Sequence, residues 1–257
     1  MATTHDWRPC ATPPALPEAT VHVWFADLDV DATTLARLAG VTSEAERARA
    51  ERLRVGSASR RFLAARGILR TLLGAYLGCP PAAVPLPAGG GNEKPRLLTP
   101  EEPELRFNVS HSGDAALLAF ARRREVGIDI ECHATGRTAE RLARRFLTDA
   151  ERRLLESLDE PARSRAALAM WTRKEAMAKA RGTGVYRSGL PELELGLGSD
   201  GEWLTTVDPA PGKEWSVRSI RPPDGACAAA VAIEGGPAPL ECVRWTSGNG
   251  PMPAWGI

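Results

Sequence analysis

The amino-acid sequence predicts a mixed α/β (α+β) protein, because runs of strand period alternate along the chain with runs of helical period. Val21-His22-Val23-Trp24 and Val126-Gly127-Ile128-Asp129-Ile130-Glu131 alternate in twos, whereas Phe62, Ala65, Leu69, Leu72, Leu73 and Tyr76 recur at helical spacing. Two capping-box patterns, Ser43-x-x-Glu46 and Thr148-x-x-Glu151, mark the starts of further helices. With 257 residues, 43% of them apolar, the chain can bury one large core or two small ones.

Residues 1–18 are proline-rich and aperiodic, so they are expected to form a lead-in outside the fold. The first strand is expected near Val21, and a charged helix runs from the Ser43 cap to about Leu53. The longer helix around Phe62 to Tyr76 carries Arg66 and Arg70 one turn apart on one face, and Gly78, Pro80 and Pro81 end it. The segment from Pro85 to Pro103 reads as a loop. Its Gly89-Gly90-Gly91 triplet lacks the strand-then-helix setting of a phosphate cradle. Phe107 to Ser112, the apolar run Ala115 to Ala121, an arginine-rich turn at Arg122-Arg123-Arg124 and the strand Val126 to Glu131 follow. The alanine-rich stretch from Trp171 to Arg181, ended by Gly182, is a helix. The chain accordingly divides into a lead-in (1–18), an N-terminal half (19–123), a C-terminal half (124–234) and an extension (235–257) expected to pack on the second half.

A net charge of +1 gives no global attraction to nucleic acid or anionic lipid, so any anion site has to be local. The five cysteines are scattered and include no C-x-x-C pair, which argues against a disulfide framework and against a zinc site. No run approaches the roughly 18 apolar residues of a membrane span. The first twenty residues contain Asp6, Arg8 and prolines where a signal peptide has its apolar core. A cytoplasmic monomer that binds neither nucleic acid nor membrane is expected.

Two constellations carry chemistry. Alternation puts Val126, Ile128 and Ile130 on one face of their strand and Asp129 and Glu131 together on the other. Two adjacent carboxylates repel. A divalent cation between them relieves the repulsion, and oxygen-only donors select Mg²⁺, with Mn²⁺ as a substitute. The bland alternative is a half-buried strand with a solvated outer face. In the helix, Trp171, Glu175 and Lys179 fall at successive i+4 positions, so a ring, a carboxylate and an ammonium form one column. The bland alternative there is a surface ion pair beside a core tryptophan.

Taken together, Phe107-Asn108-Val109-Ser110-His111-Ser112, Gly127-Ile128-Asp129-Ile130-Glu131 and Trp171-Thr172-Arg173-Lys174-Glu175-Ala176-Met177-Ala178-Lys179 resemble the larger, Sfp-type class of 4′-phosphopantetheinyl transferases. That class has F-N-[IVL]-S-H-S, G-[IV]-D-[IV]-E and W-[ST]-x-K-E-[AS]-x-x-K in this order. An upstream helix of the form R-F-L-A-x-R-x-x-L-R and the dipeptide Lys94-Pro95 extend the resemblance over about Val21 to Ile233. Glu93 departs from the pattern, standing where a glycine usually precedes the lysine.

The resemblance implies a pseudo-dimer of two similar α/β halves with coenzyme A and Mg²⁺ in the cleft between them, the junction falling near Arg122 to Val126. It implies Asp129, Glu131 and Glu175 as metal ligands, and Ser110, His111, Lys94 and Arg66 as contacts to CoA phosphates, with Arg61 toward the 3′-phosphate. Guanidinium forks suit that task. Glu175 is then the general base, acting directly or through a water, and Lys179 neutralises charge on the departing phosphate. The implied partners are apo acyl or peptidyl carrier proteins. A non-catalytic module that binds CoA and carrier protein is the competing expectation, although Asp129, Glu131, Glu175 and Lys179 are all filled. A different Mg²⁺-dependent nucleotide enzyme would need a phosphate-loop signature that the chain lacks.

Overall fold

A computed structural model describes residues 6–53, 55–87, 94, 96–98, 104–132, 136–183, 193–196, 198, 202–207, 212–223, 225 and 227–248. Its elements in chain order are β1 (Arg8–Cys10), β2 (Val21–Asp27), α1 (Ala32–Gly40), α2 (Glu44–Glu51), α3 (Gly56–Leu77), β3 (Leu105–Ser112), β4 (Ala115–Arg122) and β5 (Val126–Cys132). They continue with α4 (Gly136–Phe146), α5 (Asp149–Glu156), α6 (Ala162–Arg181), β6 (Trp203–Val207), β7 (Glu214–Ile220), β8 (Cys227–Glu234) and β9 (Leu240–Trp245). The mixed α+β class expected from the sequence is the class observed. Gly89-Gly90-Gly91, Glu93, Pro95 and His133 lie outside the described residues.

The strands form two sheets, one in the order β1-β9-β2-β4-β3 and the other β5-β8-β7-β6. Period-two patterning explains how they stack. Val21, Val23 and Phe25 of β2 and Leu117 and Ala119 of β4 point to one side, where they meet Val126, Ile128, Ile130 and Val231 of the second sheet. The opposite face of the first sheet, with Trp24, Leu118 and Phe120, packs on Ile68, Leu72 and Leu73 of α3. The outer face of the second sheet, with Val217, Ala230 and Ala232, packs on Ala176, Met177 and Ala180 of α6. The result is four layers, helix–sheet–sheet–helix, and the chain passes from the first sheet to the second at the turn between Arg122 and Val126.

The N-terminal end of the chain departs from the sequence expectation, and the C-terminal tail supplies a strand to the first sheet. Within the expected lead-in, Arg8–Cys10 form β1, which pairs in parallel with β9. Strand β9 itself belongs to the proline-containing tail. It runs in parallel between β1 and β2 of the first sheet, and Ala238, Leu240 and Cys242 share the inter-sheet core with Ile128, Val231 and Ile233 of the second half. Three residues of strand pattern in β1 are too few to read from periodicity, and β9 alternates legibly only once its partner is known. The cysteines supply a second correction, since Cys132 and Cys227 face each other across β5 and β8 and are joined as a disulfide. Their separation of 95 residues conceals the pairing until the strands align.

Gly127 governs how closely α6 approaches the second sheet. A Cβ built there would sit 2.1 Å from the Ala176 carbonyl oxygen and 2.3 Å from the Ala180 nitrogen, backbone atoms that cannot turn aside. Gly127→Ala is therefore expected to cost about 1–3 kcal/mol by overpacking and to push α6 off β5. Chemical denaturation together with a turnover assay checks this; wild-type behaviour in both would show that the helix relaxes freely.

Candidate active site

The site lies where β3, an edge of the first sheet, runs beside β5, an edge of the second. Side chains at alternate positions of β3 make the seam. Asn108 accepts the Ile128 amide at 3.0 Å through Oδ1, Ser110 donates to Asp129 Oδ1 at 2.9 Å, and Ser112 Oγ accepts the Cys132 amide at 3.0 Å. Thus the N-x-S-x-S spacing of β3 matches the period of the strand beside it. The same face of β5 carries Gly127, Asp129 and Glu131, and α6 covers it rather than solvent: Asp129 is only 3% exposed.

Helix α6 brings its i+4 column onto this face. Lys179 donates to Asp129 Oδ1 at 2.6 Å and to Ser110 Oγ at 2.9 Å, so one ammonium ties both sheets. Trp171, buried against Phe146 with ring centroids 4.5 Å apart, lies beside Glu131. The bland alternative of a surface Glu-Lys pair does not describe this helix.

Electrostatics follow from crowding carboxylates in a half-buried place. Desolvation first, then the charges of Asp129 and Glu131, push the Glu175 carboxyl up to about 7 despite the opposing pull of Lys179. Glu131 is also raised, by burial and by Asp129, with Trp171, Lys179 and Ser112 holding it back. Glu175 is thus poised to take up or release a proton near neutrality, as a general base requires.

The donor set fits a hard divalent cation. Asp129 Oδ2 is buried and has no hydrogen-bond partner, and the neighbouring carboxyls resist ionisation in one another's presence. Among the described residues, no three His, Cys, Asp or Glu side chains are close enough together to hold a metal ion by themselves. Mg²⁺ suits such an incomplete set, because it keeps several waters and takes substrate phosphate oxygens as well.

The remaining expected residues are distributed unevenly. His111 lies near Lys179 and Arg61, and partial desolvation followed by those two cations lowers its imidazole below the usual range. Arg61 is ion-paired with Asp114 at 2.5 Å on the rim. The Lys94 ammonium is engaged by Glu125 at 2.6 Å and by the Ala180 carbonyl at 3.1 Å, near the end of α6. Arg66 is a correction. It is buried, and its guanidinium is held by Glu46 and the Pro87 carbonyl rather than turned toward an anion site. Glu46 has no exposure and also binds Arg70 at 2.7 Å, and a fully buried carboxylate of this kind takes up both guanidiniums of the shared helix face.

Four contributors were not assigned a role from sequence: Asn108 and Ser112, which stitch the seam; Gly127, which admits α6; and Lys174. The Lys174 ammonium is fully buried and binds Glu151 at 2.8 Å. All four stand inside the recognised motifs, and for the first three the alternation of β3 against that of β5 was the available signal.

Comparison with known proteins bears on this geometry. A family model described as the 4′-phosphopantetheinyl transferase superfamily matches residues 125–232. The chain is 37% identical over 235 residues to the 4′-phosphopantetheinyl transferase HetI of Nostoc sp., covering 90% of this chain and 94% of that protein. It is 30% identical over 135 residues to a phosphopantetheinyl transferase of Thraustochytrium sp., covering 51% and 46% of the two chains. With the 4′-phosphopantetheinyl transferase Sfp of Bacillus subtilis it shares 27% identity over 134 residues, 48% of this chain and 58% of that one.

Proposed function

As the chain belongs to the 4′-phosphopantetheinyl transferase superfamily, we propose that it moves the 4′-phosphopantetheine arm of coenzyme A onto a serine of an apo acyl or peptidyl carrier protein. The observation that carries this is the convergence of Asp129 and Glu131 of β5 with Glu175 and Lys179 of α6 beside the seam between the sheets. The serine hydroxyl attacks the phosphorus that bears the pantetheine, the bond from that phosphorus to the bridging oxygen breaks, and 3′,5′-ADP leaves. Glu175 takes the serine proton. Lys179 offers its ammonium to the phosphates and the neutral His111 imidazole a hydrogen-bond donor, with Arg61 at the rim. Asp129 and Glu131, with Glu175, would hold Mg²⁺, which supplies charge neutralisation and alignment of the pyrophosphate. Lys94 meets a phosphate only by exchanging its Glu125 partner.

The division into two similar halves draws support from a repeated device. In the first half the capping-box glutamate of α2, Glu46, is buried against cations of the long helix α3; in the second, the capping-box glutamate of α5, Glu151, is buried against Lys174 of the long helix α6. Arg122, Arg123 and Arg124 of the arginine-rich turn make contacts within the chain: Arg122 to the Leu16 carbonyl, Arg123 to Glu104 and Arg124 to the Glu234 carbonyl. Among the described residues, no helix is long and apolar enough to cross a membrane.

Intact mass spectrometry tests the reaction directly. Apo acyl and apo peptidyl carrier proteins are incubated with the enzyme, CoA and Mg²⁺, with a chelated control. A gain of about 340 Da that depends on CoA and metal is expected. CoA binding without any mass gain on either carrier would favour the non-catalytic module.

A further inference from the structure

We propose that Lys179 couples cation binding to CoA binding, because its ammonium shares the carboxylate of Asp129 with the cation and is released from it by the CoA phosphates. The inference rests on the metal and substrate reading given above. Asp129 is 3% exposed, and its two oxygens differ: Oδ1 receives Lys179 and Ser110, while Oδ2 is buried without a partner. A cation taken up at Oδ2 is held on the same carboxylate as the ammonium. Burial leaves little screening between the two like charges, so each weakens the other's hold.

The Lys179 side chain retains 30% exposure, which gives it room to swing, whereas Asp129 is fixed on its strand. Pyrophosphate oxygens arriving over Ser110 and His111 offer the ammonium another anion. Once Lys179 turns to them, Asp129 is left to the cation. By reciprocity, cation and CoA each tighten the binding of the other. In the CoA-free protein, Lys179 therefore offsets the charge of Asp129 and leaves the site weakly receptive to divalent ions.

The test is Mn²⁺ titration of the full chain followed by electron paramagnetic resonance, with and without saturating CoA. Wild type, Lys179→Met and Lys179→Arg are compared after circular dichroism confirms folding, and Lys179→Gln replaces the Met variant if that one is misfolded. Without CoA, the uncharged variant is expected to bind Mn²⁺ on the order of tenfold tighter than wild type, while the Arg variant stays weak. With CoA the gap is expected to close. Equal CoA-free affinities, or a gain that persists undiminished with CoA, would overturn the coupling and leave only a phosphate contact or a general field. If wild type binds no Mn²⁺ even with CoA, the metal reading itself fails and the coupling with it. The carrier mass assay reports separately on the transfer reaction.

Discussion

Glu175→Gln is expected to lower turnover on the order of 10²–10⁴-fold while CoA binding largely survives, since the substitution keeps the shape of the side chain and removes its ability to accept a proton. The wild-type rate should also depend on pH in a defined direction. Without a cation the Glu175 carboxyl is pushed up to about 7, and a bound divalent ion pulls it down from there, so it is protonated and inactive as a base on the acid side and turnover rises as pH climbs toward about 7. The Gln variant loses that rise. Steady-state kinetics across pH, beside calorimetry of CoA binding, measure both; a variant with near-normal turnover, or an unchanged pH profile, would remove Glu175 from the proton transfer.

The same group makes a stability prediction of known sign. Its folded-state value lies above the ordinary carboxyl value of 4.5, so the folded ligand-free protein holds the proton more tightly than the unfolded chain does. The stabilisation is full below about 4.5 and is lost as pH rises through about 7. The loss amounts to about 3 kcal/mol at most. Glu175→Gln removes this dependence, so its denaturation midpoint should fall less over that pH interval than that of wild type.

Lys174→Met is expected to destabilise the fold by about 3–5 kcal/mol, because it strands a carboxylate that has no access to water. Glu151 is 1% exposed and closes the α5 capping box by accepting the Thr148 amide at 2.8 Å; it also accepts the Leu195 amide at 3.0 Å and binds Lys174 at 2.8 Å. Burial lowers the Lys174 ammonium, and Glu151 is the first influence that sustains its charge. The double variant Lys174→Met/Glu151→Gln should recover much of the loss, since glutamine still serves a capping box and leaves no unpaired charge. Urea midpoints at constant slope measure the difference. A single-variant cost below about 1 kcal/mol would mean that water reaches the pair.

This buried pair shows where the sequence stops being informative. The motif containing Lys174 and Glu175 reads as one functional unit, yet the two neighbours point to opposite tasks. At 100° per residue they face different sides of α6. Glu175 reaches the seam, and Lys174 reaches the cap of α5. Arg66 was open to the same confusion: a basic helix face looks equally suited to a phosphate and to a buried carboxylate, and only the position of Glu46 decides.

Period and residue type at short range were enough for the mixed fold class, for several of the helices and strands, and for the carboxylate pair and the helical column, while the proton-transfer role of Glu175 came from the family resemblance. Asp129 and Glu131 share a face whatever the strand pairs with, and Trp171, Glu175 and Lys179 form a column on any helix. Tertiary structure alone decided that the face of β5 is roofed by α6 through Gly127, that β9 enters the first sheet between β1 and β2, and that Cys132 meets Cys227. It also decided which cations serve buried carboxylates and which remain for an anion. Those outcomes rest on contacts between residues tens to hundreds of positions apart, and the burial they create sets both the charge state of Glu175 and the cost of losing Lys174.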